Sequence, residues 1–304
     1  MTALSASAVA ATTARSTAPR HTGGTAGARR IAETFAGARA DGRAALIPYV
    51  VAGYPDADTS FAIAMATIDA GADVLEVGLP YSDPLADGAT LQRASQAALA
   101  AGATFDASLA LVARIARARP NVPLVPMGYA NQLLGGGDGT QRARALAGAG
   151  AAGVIVADLT PDEGAPFEAA AAEAGIAVVY LVAPTTSADR RVWVAARSGG
   201  FVYCVSLVGV TGARASLSSG VGRLVRDVRA ASPVPVAVGF GVSRPAHVRA
   251  IASAGADGVV VASALVDALG PDGTNLDGVA SLVRRLRAAT RTEAATRDQG
   301  ATRT

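Results

Sequence analysis

One phrase recurs along the chain: a helix-like stretch, then Ala-Gly, then a run of β-branched residues. It occurs at Asp69-Ala-Gly-Ala-Asp-Val-Leu-Glu-Val77, Gly148-Ala-Gly-Ala-Ala-Gly-Val-Ile-Val156, Glu173-Ala-Gly-Ile-Ala-Val-Val-Tyr180 and Ser253-Ala-Gly-Ala-Asp-Gly-Val-Val-Val261. Each Gly is placed to end a helix in the left-handed conformation that other residues reach only at a cost. The apolar runs that follow lack polar alternation, as parallel strands covered on both faces require. Eight strands are predicted, at about 45–52, 73–78, 122–127, 153–157, 176–182, 200–205, 234–239 and 257–261. Helical patterns separate them, for example Thr59 to Ile68, Ala107 to Ala118, Gln141 to Ala149 and Ser187 to Ala196. Eightfold β-then-α repetition predicts a single-domain α/β fold, a (β/α)8 or TIM barrel, with an open doubly wound sheet as the alternative. In a barrel the loops that follow the strands carry function.

Composition sharpens this picture. Half the residues are hydrophobic and 17% are charged, which allows a large core. The formal charge of +3 would favour a nucleic-acid partner if it were spread over the body. Instead, Arg15, Arg20, Arg29 and Arg30 place four cations and no acid in the first thirty residues. The stretch from Arg291 onward adds more, so the body itself is slightly acidic. No apolar run reaches the ~18 residues of a membrane helix.

The barrel is expected over residues 29–288. Residues 1–28, rich in Ala, Thr, Ser and Gly, read as a disordered tail or a transit peptide, and residues 289–304 as a second tail. A single cysteine, Cys204 in an apolar run, fits the core of a protein in a reducing compartment. A cytoplasmic location is expected, or a plastid one if residues 1–28 are a transit peptide.

The chemistry is concentrated in Leu75-Glu-Val-Gly-Leu-Pro-Tyr-Ser-Asp-Pro-Leu-Ala-Asp87-Gly, where Glu76 and Asp87 bracket a Pro- and Gly-punctuated loop after the second strand. Carboxylates at such a place are candidate acid/base groups. Three loops follow the last three strands, two of them Gly-containing: Val208 to Gly212, Gly239 to Ser243, and Ala262-Ser263. Barrels bind phosphate with such loops and a helix start, and Ser263 is placed to cap the helix Ala264 to Ala268. The chain has no lysine, and its histidines, His21 and His247, lie in a tail and a helix. Schiff-base chemistry is therefore excluded, and no histidine cluster offers a metal site. Glu76, Asp83 and Asp87 holding Mg²⁺ is the alternative. The remaining chemistry is proton transfer by carboxylates on a phosphorylated substrate that supplies its own electron sink.

Several segments together resemble the tryptophan synthase α subunit family. They are Ile47-Pro-Tyr-Val-Val-Ala-Gly-Tyr-Pro55, the Glu76 to Gly88 string, Met127-Gly-Tyr-Ala-Asn131, Ala183-Pro-Thr-Thr186, Val205 to Arg214 and Gly239-Phe-Gly-Val-Ser243. The resemblance spans about residues 30–288. It implies retro-aldol cleavage of indole-3-glycerol phosphate to indole and glyceraldehyde 3-phosphate. Glu76 then matches the general acid/base and Asp87 the carboxylate that holds the indole N–H. Tyr203, Tyr49, Met127, Tyr129 and Phe240 would contact the indole end of the substrate, and Thr211 lies on a mobile lid. Gly212, Gly241, Ala262 and Ser263 match phosphate-binding positions. Asp83, Pro84 and Asn131 match the surface that docks a β subunit, in an α2β2 assembly expected to carry pyridoxal phosphate (PLP) in β alone. The chain departs from the family pattern at Ala262, where Gly is common, at Val208, where Thr or Ser is usual, and at Ala89 and Thr160, where Pro is common. A stand-alone lyase releasing free indole, and a silent barrel retained as an allosteric partner, are the other functional expectations.

Overall fold

The computed structural model describes residues 24–135, 137–205, 221–239 and 241–292. Thr25 caps the first helix by accepting from the Ala28 N–H, so α1 (Ala26–Ala40) begins three residues before the expected start of the barrel. Strand and helix then alternate: β1 (Ala45–Val51), α2 (Ala57–Asp69), β2 (Leu75–Gly78), α3 (Ala89–Ala100), α4 (Phe105–Ala118), β3 (Leu124–Gly128), α5 (Ala130–Leu134), α6 (Thr140–Gly148), β4 (Gly153–Val156) and α7 (Pro161–Ala174). The second half runs β5 (Ala177–Val179), β6 (Leu181–Val182), α8 (Ala188–Arg197), β7 (Val202–Val205), α9 (Val221–Ala231), β8 (Val236–Gly239), α10 (Pro245–Ser253), β9 (Gly258–Val261), α11 (Ser263–Ala268) and α12 (Leu276–Ala288). The glycines of the recurring phrase, Gly71, Gly150, Gly175 and Gly255, all have positive φ where a helix ends.

Every strand pairing is parallel, and β1 pairs with both β2 and β9, which closes the sheet at that point. The expected fifth strand, 176–182, is divided at Tyr180 into β5, which pairs with β4, and β6, which pairs with β7. Tyr180 still bridges the seam: its carbonyl accepts from the Tyr203 N–H, while its own N–H turns to the Ser198 hydroxyl. The barrel is therefore continuous through one interrupted strand, and the open-sheet alternative falls.

Alternate residues face opposite ways along each strand. Leu46, Leu75, Val77, Leu124, Val178 and Val259 belong to the large cluster between strands and helices, while Ile47, Val74, Val125, Ile155, Val179 and Val260 fill the interior. The bottom is plugged by α1, whose Ile31 and Phe35 are fully buried among the interior residues. Phe35 stacks toward Phe201 at 5.6 Å, and Phe201 toward Tyr203 at 6.4 Å, so an aromatic column rises from the plug to the mouth. The plug needs Gly258, where a Cβ would lie 2.8 Å from the Phe35 ring.

Two copies of the Ala-Gly-Ala-Asp phrase do the same work at the bottom rim. The Asp73 N–H donates to Leu46 O, and its carboxylate accepts from the Leu46 N–H at 2.8 Å. Asp257 grips Val236 in the same two ways, with 3.0 Å to its carboxylate. Each Asp pins the start of a neighbouring strand and pairs with arginine, Asp73 with Arg43 and Arg287, and Asp257 with Arg39 and Arg229.

Candidate active site at the mouth of the barrel

Glu76 takes its direction from alternation. Leu75 and Val77 pack outward, so Glu76 points into the barrel beside Tyr49 and Val125, its register partners. It is 1% exposed, and among the described residues nothing hydrogen-bonds its Oε2. A buried charge without partners is expensive, so the group keeps its proton. Burial, then the nearby Asp87, push its carboxyl up to about 8.

Asp87 closes the loop from Leu79 to Gly88 and is half-buried. Burial pushes it up to about 6, against a hydrogen bond from the Tyr129 hydroxyl that favours the ionised form. The two acids therefore sit in different environments, one dry and one hydrogen-bonded, an arrangement that lets one stay protonated while the other ionises. Tyr49 and Tyr203 face both of them. Burial first, then the charges of Asp87 and Glu76, hold both phenols firmly protonated.

Tyr49 lies over Gly78, where an added Cβ would fall 1.8 Å from the Tyr49 hydroxyl. Gly78→Ala is thus expected to push the Tyr49 ring out of the mouth and to destabilise the fold by about 1–3 kcal/mol. Thermal unfolding measures this, and an unchanged midpoint would show that the ring yields freely. Met127, one register step along β3 from Pro126, packs against both the interior cluster and the Tyr49 cluster.

The loop is held from outside as well as within. The Leu79 N–H donates to Met127 O at 2.8 Å, the Gln132 side chain donates to Pro80 O at 2.7 Å, and the Gln92 side chain donates to Asp87 O at 2.9 Å. Its outer turn is exposed: the Asp83 carboxylate accepts from the Ser82 hydroxyl at 2.5 Å, Pro84 lines a surface cleft with Tyr81 and Gln92, and Leu85 is 92% exposed. Exposed Asn131, at the start of α5, donates to the Tyr81 hydroxyl at 3.1 Å. Asp158 ends its turn by accepting from the Ala130 N–H at 2.7 Å, a barrel-end bond outside the acid pair.

At the phosphate end, Gly241 has φ 55°, whereas Ala262 has φ −119°, outside the left-handed region that favours Gly. Ser263 is not the cap expected of it. Ala262 occupies the cap position and Ser263 is already the first helical residue of α11, with no side-chain capping bond. Thr211, Gly212, Phe240 and the Val208 departure lie outside the described residues. Ala89 opens α3 behind Gly88, a first-turn position that accepts Pro and Ala alike, and Thr160 precedes Pro161 at the start of α7. Cys204 is fully buried with its thiol pushed up to about 12 by burial, which makes it a core residue.

Sequence reasoning missed Tyr81 and Gln132, which tie the loops after β2 and β3 together. The signal was present: Tyr81 lies inside the acid-bearing string, and Gln132 directly follows the Asn131 already singled out.

Comparison with known proteins agrees with this geometry. The family described as tryptophan synthase alpha chain matches residues 35–297. A tryptophan synthase alpha chain from Roseiflexus castenholzii is 46% identical over 260 residues, covering 85% of this chain and 99% of the relative. One from Gloeobacter violaceus is 45% identical over 266 residues, covering 86% of this chain and 95% of the relative. Among solved structures, tryptophan synthase from Mycobacterium tuberculosis, in an open form with BRD0059 bound, superposes with a TM-score of 0.78 at 40% identity, covering 86% of this chain and 99% of that one. The subunit alpha from Legionella pneumophila gives 0.76 at 31% identity, covering 86% and 98%. The match starts within the plug helix, passes through both acids and runs beyond the last barrel helix; the chain belongs to the tryptophan synthase alpha chain family.

Proposed function

We propose that this chain cleaves indole-3-glycerol phosphate to indole and glyceraldehyde 3-phosphate, and that it does so beside a PLP-carrying β subunit that uses the indole. The observation that carries the reading is the buried Glu76 near Asp87, its Oε2 without a hydrogen-bond partner among the described residues.

In this reading ionised Asp87 accepts the indole N–H. Protonated Glu76 donates to ring carbon C3, and the positive charge that develops on the ring nitrogen is stabilised by Asp87. The Glu76 carboxylate then takes the proton of the glycerol hydroxyl next to the ring. The carbon–carbon bond breaks, its electron pair returns to the ring as neutral indole, and the hydroxyl carbon leaves as the aldehyde. Glu76 ends protonated, so no water or redox partner is consumed. Tyr49, Met127, Tyr129 and Tyr203 would enclose the indole, and Phe240 with them. Gly241, Ala262 and Ser263 would offer backbone N–H groups to the phosphate with Gly212, beneath a lid that includes Thr211. Asp83, Pro84 and Asn131 would meet the β subunit. The chain needs no cofactor of its own, and without lysine it cannot form a Schiff base with PLP.

The test is an assay for indole release from indole-3-glycerol phosphate, with and without the β subunit. Release is expected, and faster with β present; an active-site-intact protein that yields no indole in either case would overturn the reading. Asp87→Asn is expected to lower the rate about 10²-fold or more by removing charge stabilisation at the ring nitrogen.

A further inference from the structure

We propose that Tyr129 is a positioning residue for Asp87, its hydroxyl clamped into the loop after β2 so that it aims the carboxylate before any substrate arrives. The inference deepens the function proposed above and rests on it for the role of Asp87.

Five contacts fix the tyrosine. Its N–H donates to the Gln132 side chain at 3.3 Å, and its carbonyl accepts from the Gln132 and Leu133 N–H groups at 3.0 Å each. Its ring stacks on Tyr81 with centroids 5.0 Å apart and planes 26° apart. Its hydroxyl accepts from the Ala86 N–H at 3.0 Å. Tyr81 is held in turn by Asn131, and Pro80 by the other end of Gln132. The ring is 5% exposed, so the hydroxyl has little freedom to move.

A phenol that accepts one hydrogen bond must send its own hydrogen elsewhere. The carboxylate of Asp87, the residue after Ala86, is the charge on which that hydroxyl acts, holding its pKa down against burial. One oxygen thus takes the N–H of residue 86 and lies next to the acid of residue 87, which fixes the loop backbone beside the carboxylate. The groups that face Asp87 are Glu76 from β2, Tyr49 from β1, Tyr203 from β7 and Tyr129 itself, with Asp158 acting on Tyr129 from beyond β4. Of these, the Tyr129 hydroxyl is the group that favours the ionised carboxylate. The outer contacts are equally specific: Asn131 and Tyr81 place the far end of this stack at the surface beside Asp83 and Pro84.

Tyr129→Phe tests this, because it keeps the ring and its stacking and removes only the hydroxyl. The expected result is a kcat lowered about 10- to 100-fold, a KM changed less than about threefold, and an acid limb of the pH–rate profile moved to higher pH. A KM increase with kcat and the acid limb unmoved would make Tyr129 a pocket wall only and overturn the proposal. Carbon NMR of the Asp87 carboxyl, assigned by its loss in Asp87→Asn, reads the contact without substrate. Its titration midpoint is expected to rise in Tyr129→Phe, and identical midpoints in the two proteins would overturn the proposal. Should the wild-type chain release no indole, the proposed reaction fails while the NMR comparison still decides on Tyr129.

Discussion

Glu76→Gln is expected to reduce indole release by at least about 10³-fold while leaving the fold intact. A glutamine fills the same space and can still hydrogen-bond, but it can neither donate a proton to carbon nor receive one from a hydroxyl, so both halves of the proposed cycle stop. The fold should not suffer, because the glutamate is protonated when buried and its Oε2 has no partner among the described residues to lose. Single-turnover measurement of indole, alongside circular dichroism, checks both statements; turnover within tenfold of wild type would remove Glu76 from the mechanism. The same two acids set the pH dependence. Asp87 must be ionised to receive the N–H, and it is pushed up to about 6 by burial, so the rate should fall below that pH. Glu76 must start protonated, and it is pushed up to about 8 by burial and Asp87, so the rate should fall above that pH. A profile of kcat/KM against pH with its maximum between these values is expected, with the acid limb moving on Tyr129→Phe.

Glu168→Ala should be the most damaging change away from the mouth, at about 3–5 kcal/mol, the cost of breaking a buried ion pair by removing one member. Glu168 is fully buried on α7 and accepts three bonds: from the Tyr180 hydroxyl at 2.6 Å, and from Arg197 Nε and Nη2 at 3.0 and 2.6 Å. These bonds join α7 and α8 to the residue that interrupts the strand between β5 and β6. For a domain of this size the midpoint of thermal unfolding should drop by roughly 10 °C. Tyr180→Phe, which loses one bond to the carboxylate and keeps the ion pair, should cost about 1.5–3 kcal/mol. Chemical denaturation of both variants measures the difference, and a Glu168→Ala cost under about 1 kcal/mol would show that the cluster contributes little to closure.

Much of this architecture was legible because barrels repeat. The Ala-Gly phrase marks helix ends through glycine φ and marks strands through uninterrupted apolar runs, and both signals are local. The acids were legible for a related reason, since a polar residue in an apolar strand end is rare enough to stand out. What escaped depends on contacts between distant segments. Tyr180 looks like an ordinary strand residue, and its break arises because Ser198 draws away its N–H. Ser263 has the right chemistry for a cap, but the chain enters helical geometry one residue too early for it to serve. The plug helix announces itself only through Ile31 and Phe35 four residues apart, a spacing that reveals an apolar stripe without saying what lies against it. Tyr129 was read as pocket lining, and the part its hydroxyl plays in the loop after β2 depends on Ala86 and Asp87, more than forty residues earlier.

The plug has a bearing on traffic. With Ile31, Phe35 and Phe201 filling the lower barrel, the interior is a cup and not a pipe. In the proposed reaction, a small planar product released beside Glu76 finds no exit downward among the described residues and leaves through the rim by which the substrate entered. That rim carries the exposed turn of Asp83, Pro84 and Leu85. Any hand-over to a neighbouring protein must therefore begin at this doorway, and whatever covers the doorway governs both arrival and departure.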